Sequence, residues 1–187
     1  ALVMLSFLCG MIAVLFARPD SIYKPLPGCD VYDEARDARS WPGGSPLIAH
    51  PPCRLWSRMR RFSTAPAAEK GLALWGLEQV KRYGGVLEHP ATSSFWKVAD
   101  LSGGFVVALD QFWFGHPAEK RTKLFIAGIL PSALPPIPFK LGEPEFVVAT
   151  SRRNPQRKRE CSKRWRSATP PAFAAWLCSV ARMCGAA

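Results

Sequence analysis

The stretch AAEKGLALWGLEQVKRYGGVLEHP, residues 67–90, decides the fold because it joins a complete helix to a strand. Its large apolar residues recur near helical spacing, at Leu72, Trp75, Leu77 and Val80. Acidic residues come early and basic residues late, which suits the helix dipole, and a Gly-Gly pair supplies the stop signal. We therefore predict a helix over residues 67–83, followed at once by a short strand, VLEHP, that ends at Pro90.

The segment SPLIAHPPC, residues 45–53, supplies a strand before this helix. Its apolar centre, residues 47–49, is closed by two prolines, as expected at the end of a buried parallel strand. The order strand, helix, strand predicts a parallel crossover. Residues that follow the two strands then lie at the same carboxyl edge of one sheet, which brings Cys53 and Glu88 together.

The rest of the chain extends this sheet. Further short strands are predicted at residues 11–17, at residues 105–109, at residues 123–127 and within CDVYDEARDARSWPGG, where the strand ends in an acidic turn. A Thr-Pro-Pro start signal predicts a last helix over residues 169–183. The expected fold class is α/β, a Rossmann-like, mainly parallel sheet with flanking helices, reduced in size. We expect an α/β catalytic domain over residues 1–145, with residues 146–187 forming a basic segment and a helix that pack on the same domain.

The N-terminal run ALVMLSFLCGMIAVLFA, residues 1–17, is uncharged and apolar, and it has two interpretations. It is long enough for a signal-peptide core or a short membrane span. It also suits a buried first strand with an apolar lead-in. The second interpretation is favoured, because no basic residue precedes the run and a spanning helix needs about 20 apolar residues. We therefore expect no stable membrane association.

The charge of the chain indicates a polyanionic partner, and we expect DNA. The 187 residues carry 25 Lys and Arg against 14 Asp and Glu, a net charge of +11. Eight basic residues and a single acidic residue, Glu160, fall between positions 152 and 166. The candidate phosphate-binding residues in this segment are Arg152, Arg153, Arg157, Lys158, Arg159, Lys163 and Arg164. The six cysteines form no CxxC pair, which disfavours a disulfide scaffold and favours the cytoplasm.

Three short blocks carry the chemistry: AHPPCRLWS at residues 49–57, GGVLEHPATS at residues 84–93 and DQFWFGHPAEKRTKLFIAG at residues 110–128. In order and spacing they resemble the Pro-Cys, Glu-Asn-Val and Gln-x-Arg-x-Arg motifs of cytosine-C5 DNA methyltransferases. The likeness is greatest to short members encoded by phages and prophages. The resemblance covers about residues 30–130.

The resemblance implies methyl transfer from S-adenosylmethionine to C5 of a cytosine flipped out of the duplex. Cytosine reacts at C5 only after a nucleophile adds to C6, while an acid protonates N3. Cys53 matches the family's nucleophile and Glu88 its base-binding acid. We expect Cys53 to be an accessible thiol of low pKa. Side chains implied at the target base are Pro52, Ser57, His89, Lys120 and Arg121, with Trp56, Phe112 and Trp113 as candidates for stacking on bases.

The chain departs from the family pattern at three places. Glu88 is followed by His89 where the family has asparagine, and the double-arginine block has become Lys120-Arg121-Thr122. The turn after the first strand, residues 15–24, lacks the glycines that bind the cofactor. Asp33 or Glu34, after the second strand, remains available for the ribose hydroxyls of S-adenosylmethionine.

Two other functions stay open. One is a catalytically inactive DNA-binding or decoy protein on the same scaffold. The other is a metal-dependent hydrolase, since each of the three blocks contains one histidine and His-x-x-Cys is a usable ligand spacing. Its ligands would be His50, Cys53, His89 and His116. If the methyltransferase interpretation holds, no metal ligand is expected among these residues.

Overall fold

A computed structural model describes residues 10–148 and 158–185 of the chain. The strands in this part are β1 (Ile12–Ala17), β2 (Cys29–Asp33), β3 (Leu47–Ala49), β4 (Gly85–Pro90), β5 (Phe105–Asp110), β6 (Ala118–Glu119), β7 (Arg121–Ala127), β8 (Phe146–Val147) and β9 (Arg159–Glu160). The α-helices are α1 (Gly71–Tyr83), α2 (Lys163–Ser167) and α3 (Pro171–Cys184). A 3-10 turn, Ala67–Lys70, leads into α1, so the predicted first helix begins with a tighter turn than expected.

Six strands form the main sheet, in the spatial order β2-β1-β3-β4-β7-β5. The first four of these are parallel, and β7 runs antiparallel to both β4 and β5. From β1 the chain first moves outward to β2 and then returns to the other side of β1 for β3. The carboxyl ends of β1 and β3 therefore flank the point at which the strand order reverses. The parallel crossover predicted between β3 and β4 is confirmed.

Alternating residues of each strand face two separate cores. Val14, Ile48 and Val86 belong to the core that includes α3, whereas Leu87 and Phe125 belong to the core that includes α1. The sheet is thus covered by a helix on each face, which explains why its central strands are almost continuously apolar. The structure is a mixed α/β fold with a mainly parallel sheet and flanking helices, as the sequence predicts at this level.

The Gly84-Gly85 pair positions β4 after α1. Gly84 ends α1 at a φ of 77°, a left-handed value that favours glycine. A Cβ at Gly85, whose φ is 128°, would collide with the backbone of Leu47 on the neighbouring β3. Glycine is therefore required for β4 to approach β3 closely enough to bring the two strand ends, and their polar residues, side by side.

A second, smaller sheet pairs β6, β8 and β9 in parallel. It connects the third sequence block to Arg159 and Glu160 of the basic segment. The predicted N-terminal lead-in, residues 1–9, lies outside the described residues, whereas residues 12–17 form the predicted strand β1. Within residues 10–148 and 158–185, no helix is both long and apolar enough to cross a bilayer.

Candidate active site

Cys53 and Glu88 lie at the carboxyl edge of the sheet, where β3 and β4 end next to each other. Cys53 follows β3 and begins a short 3-10 turn, Arg54–Trp56, and its carbonyl accepts a hydrogen bond from the Trp56 amide at 3.0 Å. Glu88 lies inside β4 and faces the α3 side of the sheet, like Val86 two residues earlier. The sequence prediction that these two residues emerge at one edge agrees with this arrangement.

Glu88 is held by side chains from several parts of the chain. His50 Nδ1 lies 3.1 Å from Glu88 Oε2, and Gln111 Nε2 donates to Oε1 at 3.4 Å. The Thr122 hydroxyl also donates to Oε1. Because an ionised carboxylate can only accept, His50 Nδ1 is the donor to Glu88, and His50 Nε2 lies 3.0 Å from the buried Tyr23 hydroxyl oxygen. The result is a continuous chain of hydrogen bonds from Tyr23 through His50 to Glu88.

The pKa of Glu88 is set by two opposing effects. Burial alone would raise it, but the hydrogen bond and charge of His50, the Lys120 ammonium and the Thr122 hydroxyl lower the pKa to about 2. Lys120 is itself buried, which lowers its pKa, and its ammonium donates to the Ala168 carbonyl at 2.8 Å. Glu88 is therefore ionised at neutral pH. In the free protein it accepts hydrogen bonds, and it is not the protonated acid that the sequence comparison implied.

Cys53 is solvent-exposed, but its thiol does not have the low pKa that we expected. Crowding of the thiol by surrounding protein and the negative charge of Glu88 raise its pKa above the ordinary value, and the more distant Lys120 ammonium offsets only part of this. The expectation was wrong because it was based on the catalytic role assigned to Cys53 and did not include the negative charge of Glu88. The free protein holds Cys53 as an accessible, protonated thiol.

We expect iodoacetamide to alkylate Cys53 before Cys178 and Cys184, which are buried. The rate should climb about tenfold per pH unit through neutral pH, because only the thiolate reacts and its pKa is raised. Replacing Glu88 with glutamine removes one cause of the raised pKa, so alkylation of Cys53 near pH 8 should become faster. Mass spectrometry of the alkylated peptides over a pH series measures both effects. A Cys53 no more reactive than Cys178, or a rate unchanged in Glu88→Gln, would contradict this arrangement.

The three histidines of the sequence blocks do not come together. His89 alternates with Glu88 along β4, so its ring lies on the other face of the sheet, fully buried, with its centroid 5.0 Å from that of Phe95. His116 contacts the Ala118 and Trp165 carbonyl oxygens through its two ring nitrogens, at 2.8 and 3.0 Å. The metal-dependent hydrolase built on His50, Cys53, His89 and His116 is therefore wrong. In the described part of the chain, no three His, Cys, Asp or Glu side chains are grouped to hold a metal ion.

The position of His89 also argues against the substrate-binding role implied for it. Burial lowers the pKa of His89 to about 4, and the charge of Glu88 and the Pro52 backbone offset only part of this effect. Its ring is part of an aromatic cluster with Phe95 and Trp96. The period-two alternation of β4 explains the difference, since neighbours in a strand point to opposite faces.

Burial of His89 predicts a loss of stability in mild acid. The native histidine stays neutral down to about pH 4, whereas the unfolded chain binds its proton near the ordinary pKa of 6.5. Because the unfolded state then binds more protons, the free energy of unfolding should fall by about 3 kcal/mol as the pH drops from 6.5 to 4. Glu88 is protonated in the unfolded chain below 4.5 but in the native state only near pH 2, so it adds a further loss in that lower window. Both contributions are present above pH 6.5 and disappear with acid.

Urea unfolding at a series of pH values measures this loss. Replacing His89 with phenylalanine keeps the aromatic packing and should remove the part of the loss between pH 6.5 and 4.5. Equal pH dependence in the wild type and in His89→Phe would show that His89 is not the responsible group.

The residues expected to bind the cofactor lie at the carboxyl end of β2. The Asp33 carboxylate already accepts from Lys24 Nζ at 2.7 Å and from the amides of Ala35 and Arg36. Hydrogen bonding to Lys24 is the main reason that the pKa of Asp33 is lowered. Glu34 follows it in an exposed turn. Asp33 is thus placed at the expected strand end, but in the free protein its charge is neutralised by Lys24.

The end of β1 shows a feature that the sequence did not reveal. Phe16 has a φ of 61°, in the left-handed region that usually favours glycine, and the pairing of β1 with β2 shifts register at this residue. Its ring packs edge-to-face against Trp75 of α1, with centroids 5.9 Å apart. The penultimate residue of β1 therefore has a glycine-like backbone conformation without being glycine. Strained residues of this kind cluster at functional sites.

The other residues implied at the target base lie on both sides of the Cys53–Glu88 pair. The Ser57 hydroxyl donates to the Arg54 carbonyl at 3.0 Å and stabilises the turn after Cys53, while Pro52 directly precedes that turn. Arg121 is exposed and pairs with Glu119 at 2.5 Å. Of the candidate stacking residues, Trp56 and Phe112 are buried, which leaves only Trp113 with an accessible face, and it packs against Phe139.

A cleft of about 560 Å³ opens beside Thr122, the residue that contacts Glu88. Its wall includes Asp110, Arg121, Trp113 and Phe139, so it combines charged groups with aromatic faces. Its volume falls within the range of about 300–1,000 Å³ that is typical of small-molecule sites, but neither Cys53 nor Glu88 lines it.

The basic segment contributes groups close to this site. Arg152, Arg153 and Arg157 lie outside the described residues, whereas Lys158 donates to Glu143 at 2.9 Å, Arg159 lies in β9, and Lys163 and Arg164 lie in α2. Two hydrogen bonds connect the segment to the site. The Lys120 ammonium donates to the carbonyl of Ala168, which directly follows α2, and His116 bonds to the carbonyl of Trp165 within α2. It is therefore in part a folded element beside the site.

Sequence reasoning missed Tyr23, Gln111 and Thr122 as members of the site. Gln111 and Thr122 lie inside the third block, which was a usable signal, but Tyr23 lies in a loop after β1 with no distinguishing pattern. No family model matches the chain, and no curated protein matches it in sequence.

Proposed function

We propose that this chain is a cytosine-C5 DNA methyltransferase that uses S-adenosylmethionine, with Cys53 as the nucleophile and Glu88 as the base-binding carboxylate. One observation carries the proposal: side chains from all three sequence blocks converge on Glu88. His50 comes from the first block, Glu88 from the second, and Gln111 and Thr122 from the third. Pairing of the neighbouring strands β3, β4 and β7 brings the blocks to one edge, and a largely buried carboxylate with several polar partners at such an edge is typical of a functional site.

The ionised state of Glu88 suits a hydrogen-bond acceptor for the flipped cytosine. Its carboxylate accepts from the exocyclic amine of the base, while the Cys53 sulfur adds to C6. As the S–C6 bond forms, electrons move through the ring toward N3, which then takes up a proton. His50, whose Nδ1 proton points at Glu88, is the group placed to pass that proton through the carboxylate. The methyl group of S-adenosylmethionine would then pass to C5 and leave S-adenosylhomocysteine. Solvent would take the C5 proton, the Cys53 thiolate would leave C6, and the N3 proton would return through Glu88 to His50.

A raised pKa of Cys53 is compatible with this role because it describes the protein before DNA binds. Once the exocyclic amine of cytosine donates to Glu88, the negative charge beside the thiol is partly neutralised, which favours the thiolate. The Lys120 ammonium acts in the same direction. Activation of the nucleophile is thereby coupled to correct placement of the base.

The carboxyl edge formed by β1, β2 and β3 supports cofactor binding of the Rossmann type. In doubly wound sheets ligands bind outside the carboxyl ends of the strands where the strand order reverses, and here that point lies between β1 and β3. The glycine-like backbone at Phe16 and the carboxylate of Asp33 after β2 lie at this edge. S-adenosylmethionine supplies an activated methyl group when bound. Asp33 fits its ribose hydroxyls once Lys24 moves away.

The ion pair between Lys24 and Asp33 favours a second candidate, a catalytically inactive DNA-binding or decoy protein on this scaffold. If Lys24 keeps Asp33 occupied, the cofactor is not bound and the Cys53–Glu88 pair cannot transfer a methyl group. Calorimetric titration with S-adenosylmethionine separates the two candidates, since only the enzyme should bind it.

The proposed function is tested by incubating the protein with mixed-sequence duplex DNA and methyl-labelled S-adenosylmethionine. Digestion of the DNA to nucleosides and mass spectrometry should reveal labelled 5-methylcytosine. A label on adenine, or no label despite cofactor binding, would reject the proposal. A protein that binds DNA but neither binds the cofactor nor transfers the label would be the decoy.

A further inference from the structure

A basic cleft of about 350 Å³ lies beside the candidate active site and has no role in the chemistry described above. Its wall is formed by Trp56, Arg58, Arg60, Thr92, Ser94 and Lys97. Trp56 ends the turn that Cys53 begins, and Thr92 follows shortly after the end of β4, which carries Glu88. The cleft is therefore bordered by the same two loops that carry the nucleophile and the carboxylate.

The composition of this cleft is that of an anion site. Three of its six lining residues are cationic, two carry hydroxyl groups, and none is acidic. Arg58, Arg60 and Lys97 form no ion pair with any acid in residues 10–148 and 158–185. Arg54, by contrast, is neutralised by Glu69. Three uncompensated cations around one cavity repel one another, and a bound anion relieves that repulsion.

The cleft also has a rigid back wall. The Trp56 indole donates to the Lys70 carbonyl at 3.1 Å, and its ring packs edge-to-face against Phe95. The Ser94 hydroxyl donates to the Trp56 carbonyl at 2.9 Å, which ties the two bordering loops together. The cationic side chains are thus attached to a fixed framework.

We infer that this cleft binds a backbone phosphate of the DNA strand that carries the target cytosine. A phosphodiester carries one negative charge and acceptor oxygens that match guanidinium, ammonium and hydroxyl donors. Contacts to phosphate position a protein on DNA, and a contact bordered by the Cys53 and Glu88 loops holds the strand where the flipped base enters. The inference rests on the proposed function in taking DNA as the polyanion, but it does not depend on methyl transfer.

The test compares the triple variant Arg58→Ala, Arg60→Ala, Lys97→Ala with the single variant Arg61→Ala. Arg61 is a matched control because it lies on the same 3-10 turn as Arg60 but does not line the cleft, and it packs over the Phe62 ring. Affinity for an end-labelled, mixed-sequence duplex is measured by fluorescence anisotropy at several salt concentrations. Thermal unfolding of each variant establishes that the exposed substitutions leave the fold intact.

Loss of one phosphate contact should reduce the slope of log affinity against log salt by about 0.9 in the triple variant. The slope of Arg61→Ala should equal that of the wild type. An unchanged slope in the triple variant, or an equal reduction in Arg61→Ala, would overturn the inference. Calorimetry with inorganic phosphate alone provides a second arm: phosphate binding lost in the triple variant without any change in the DNA slope would make the cleft a small-anion site and also overturn it.

The outcome is separable from that of the proposed function. Covalent capture of 5-fluorocytosine DNA by Cys53 reports on methyl transfer, whereas the salt slope reports on phosphate contact. If the wild type forms no covalent adduct but the triple variant still shows the smaller slope of log affinity against log salt, the phosphate site is retained and the methyltransferase function is rejected. If capture succeeds and the slopes are equal, only the phosphate site is rejected.

Discussion

Replacing Cys53 with serine is expected to abolish covalent capture of the protein on duplex DNA containing 5-fluorocytosine. In the proposed reaction the Cys53 sulfur adds to C6 and the methyl group is transferred to C5. Fluorine at C5 cannot leave as a proton does, so the S–C6 bond does not break and the adduct survives denaturation. The serine hydroxyl is a far weaker nucleophile than the cysteine thiolate. Methyl transfer to ordinary DNA should therefore fall by more than about a thousandfold.

The measurement is a denaturing gel of protein incubated with the fluorinated duplex and S-adenosylmethionine. Cys29→Ser is a suitable control, because Cys29 is half-buried and its sulfur lies 3.7 Å from that of Cys178, outside the Cys53–Glu88 group. Capture should persist in this control. Capture that also persists in Cys53→Ser would show that another residue is the nucleophile.

Replacing Glu88 with glutamine should lower kcat by about 10²–10⁴-fold, the range typical of a lost proton-transfer group, while DNA affinity changes little. Glutamine keeps the shape of the side chain and still accepts from His50. It removes the negative charge that stabilises the protonated ring, and its amide presents hydrogens toward the exocyclic amine of cytosine. Because the pKa of Glu88 is about 2, the wild-type carboxylate is charged throughout the usable pH range, so the defect should appear at every pH.

Glu69→Gln distinguishes this effect from a general change of charge near the nucleophile. Glu69 pairs with Arg54 and contributes to the raised pKa of Cys53, but it makes no contact with Glu88 or His50. Single-turnover methyl transfer should be nearly normal in Glu69→Gln. Comparable losses in both variants would mean that charge near Cys53, and not binding of the base by Glu88, controls the reaction.

Much of the fold was predictable because its signals are local. The helical spacing before Gly84, the short apolar strands and the prolines that end two of them predicted α1, β3 and β4 nearly to the residue. The antiparallel insertion of β7 between β4 and β5 was not predicted. The local sequence of a strand does not show whether it pairs with the preceding strand in the chain or with an earlier one, since the pairing partners are far apart in the sequence.

The site was predictable in its principal pair and not in its electrostatics. Cys53 and Glu88 follow from strand ends that share an edge. The pKa values of the two groups depend on which side chains approach them in space, and those include Tyr23 and Thr122, from loops and strands well separated in the sequence. His89 is the converse case: it is next to Glu88 in the sequence, but its side chain is buried on the opposite face of the sheet.

By itself, the sequence determined the mixed α/β architecture, the common edge of β3 and β4, and the concentration of positive charge after residue 151. These properties depend on residue spacing and composition, which are visible in one dimension. Only the tertiary structure decided that Glu88 is ionised, that the Cys53 thiol is held protonated beside it, and that Arg58, Arg60 and Lys97 surround one cleft. The physical reason is that hydrogen bonding, burial and Coulomb interactions act over a few ångströms in space. The number of residues between two groups in the sequence does not determine the distance between them in the folded protein.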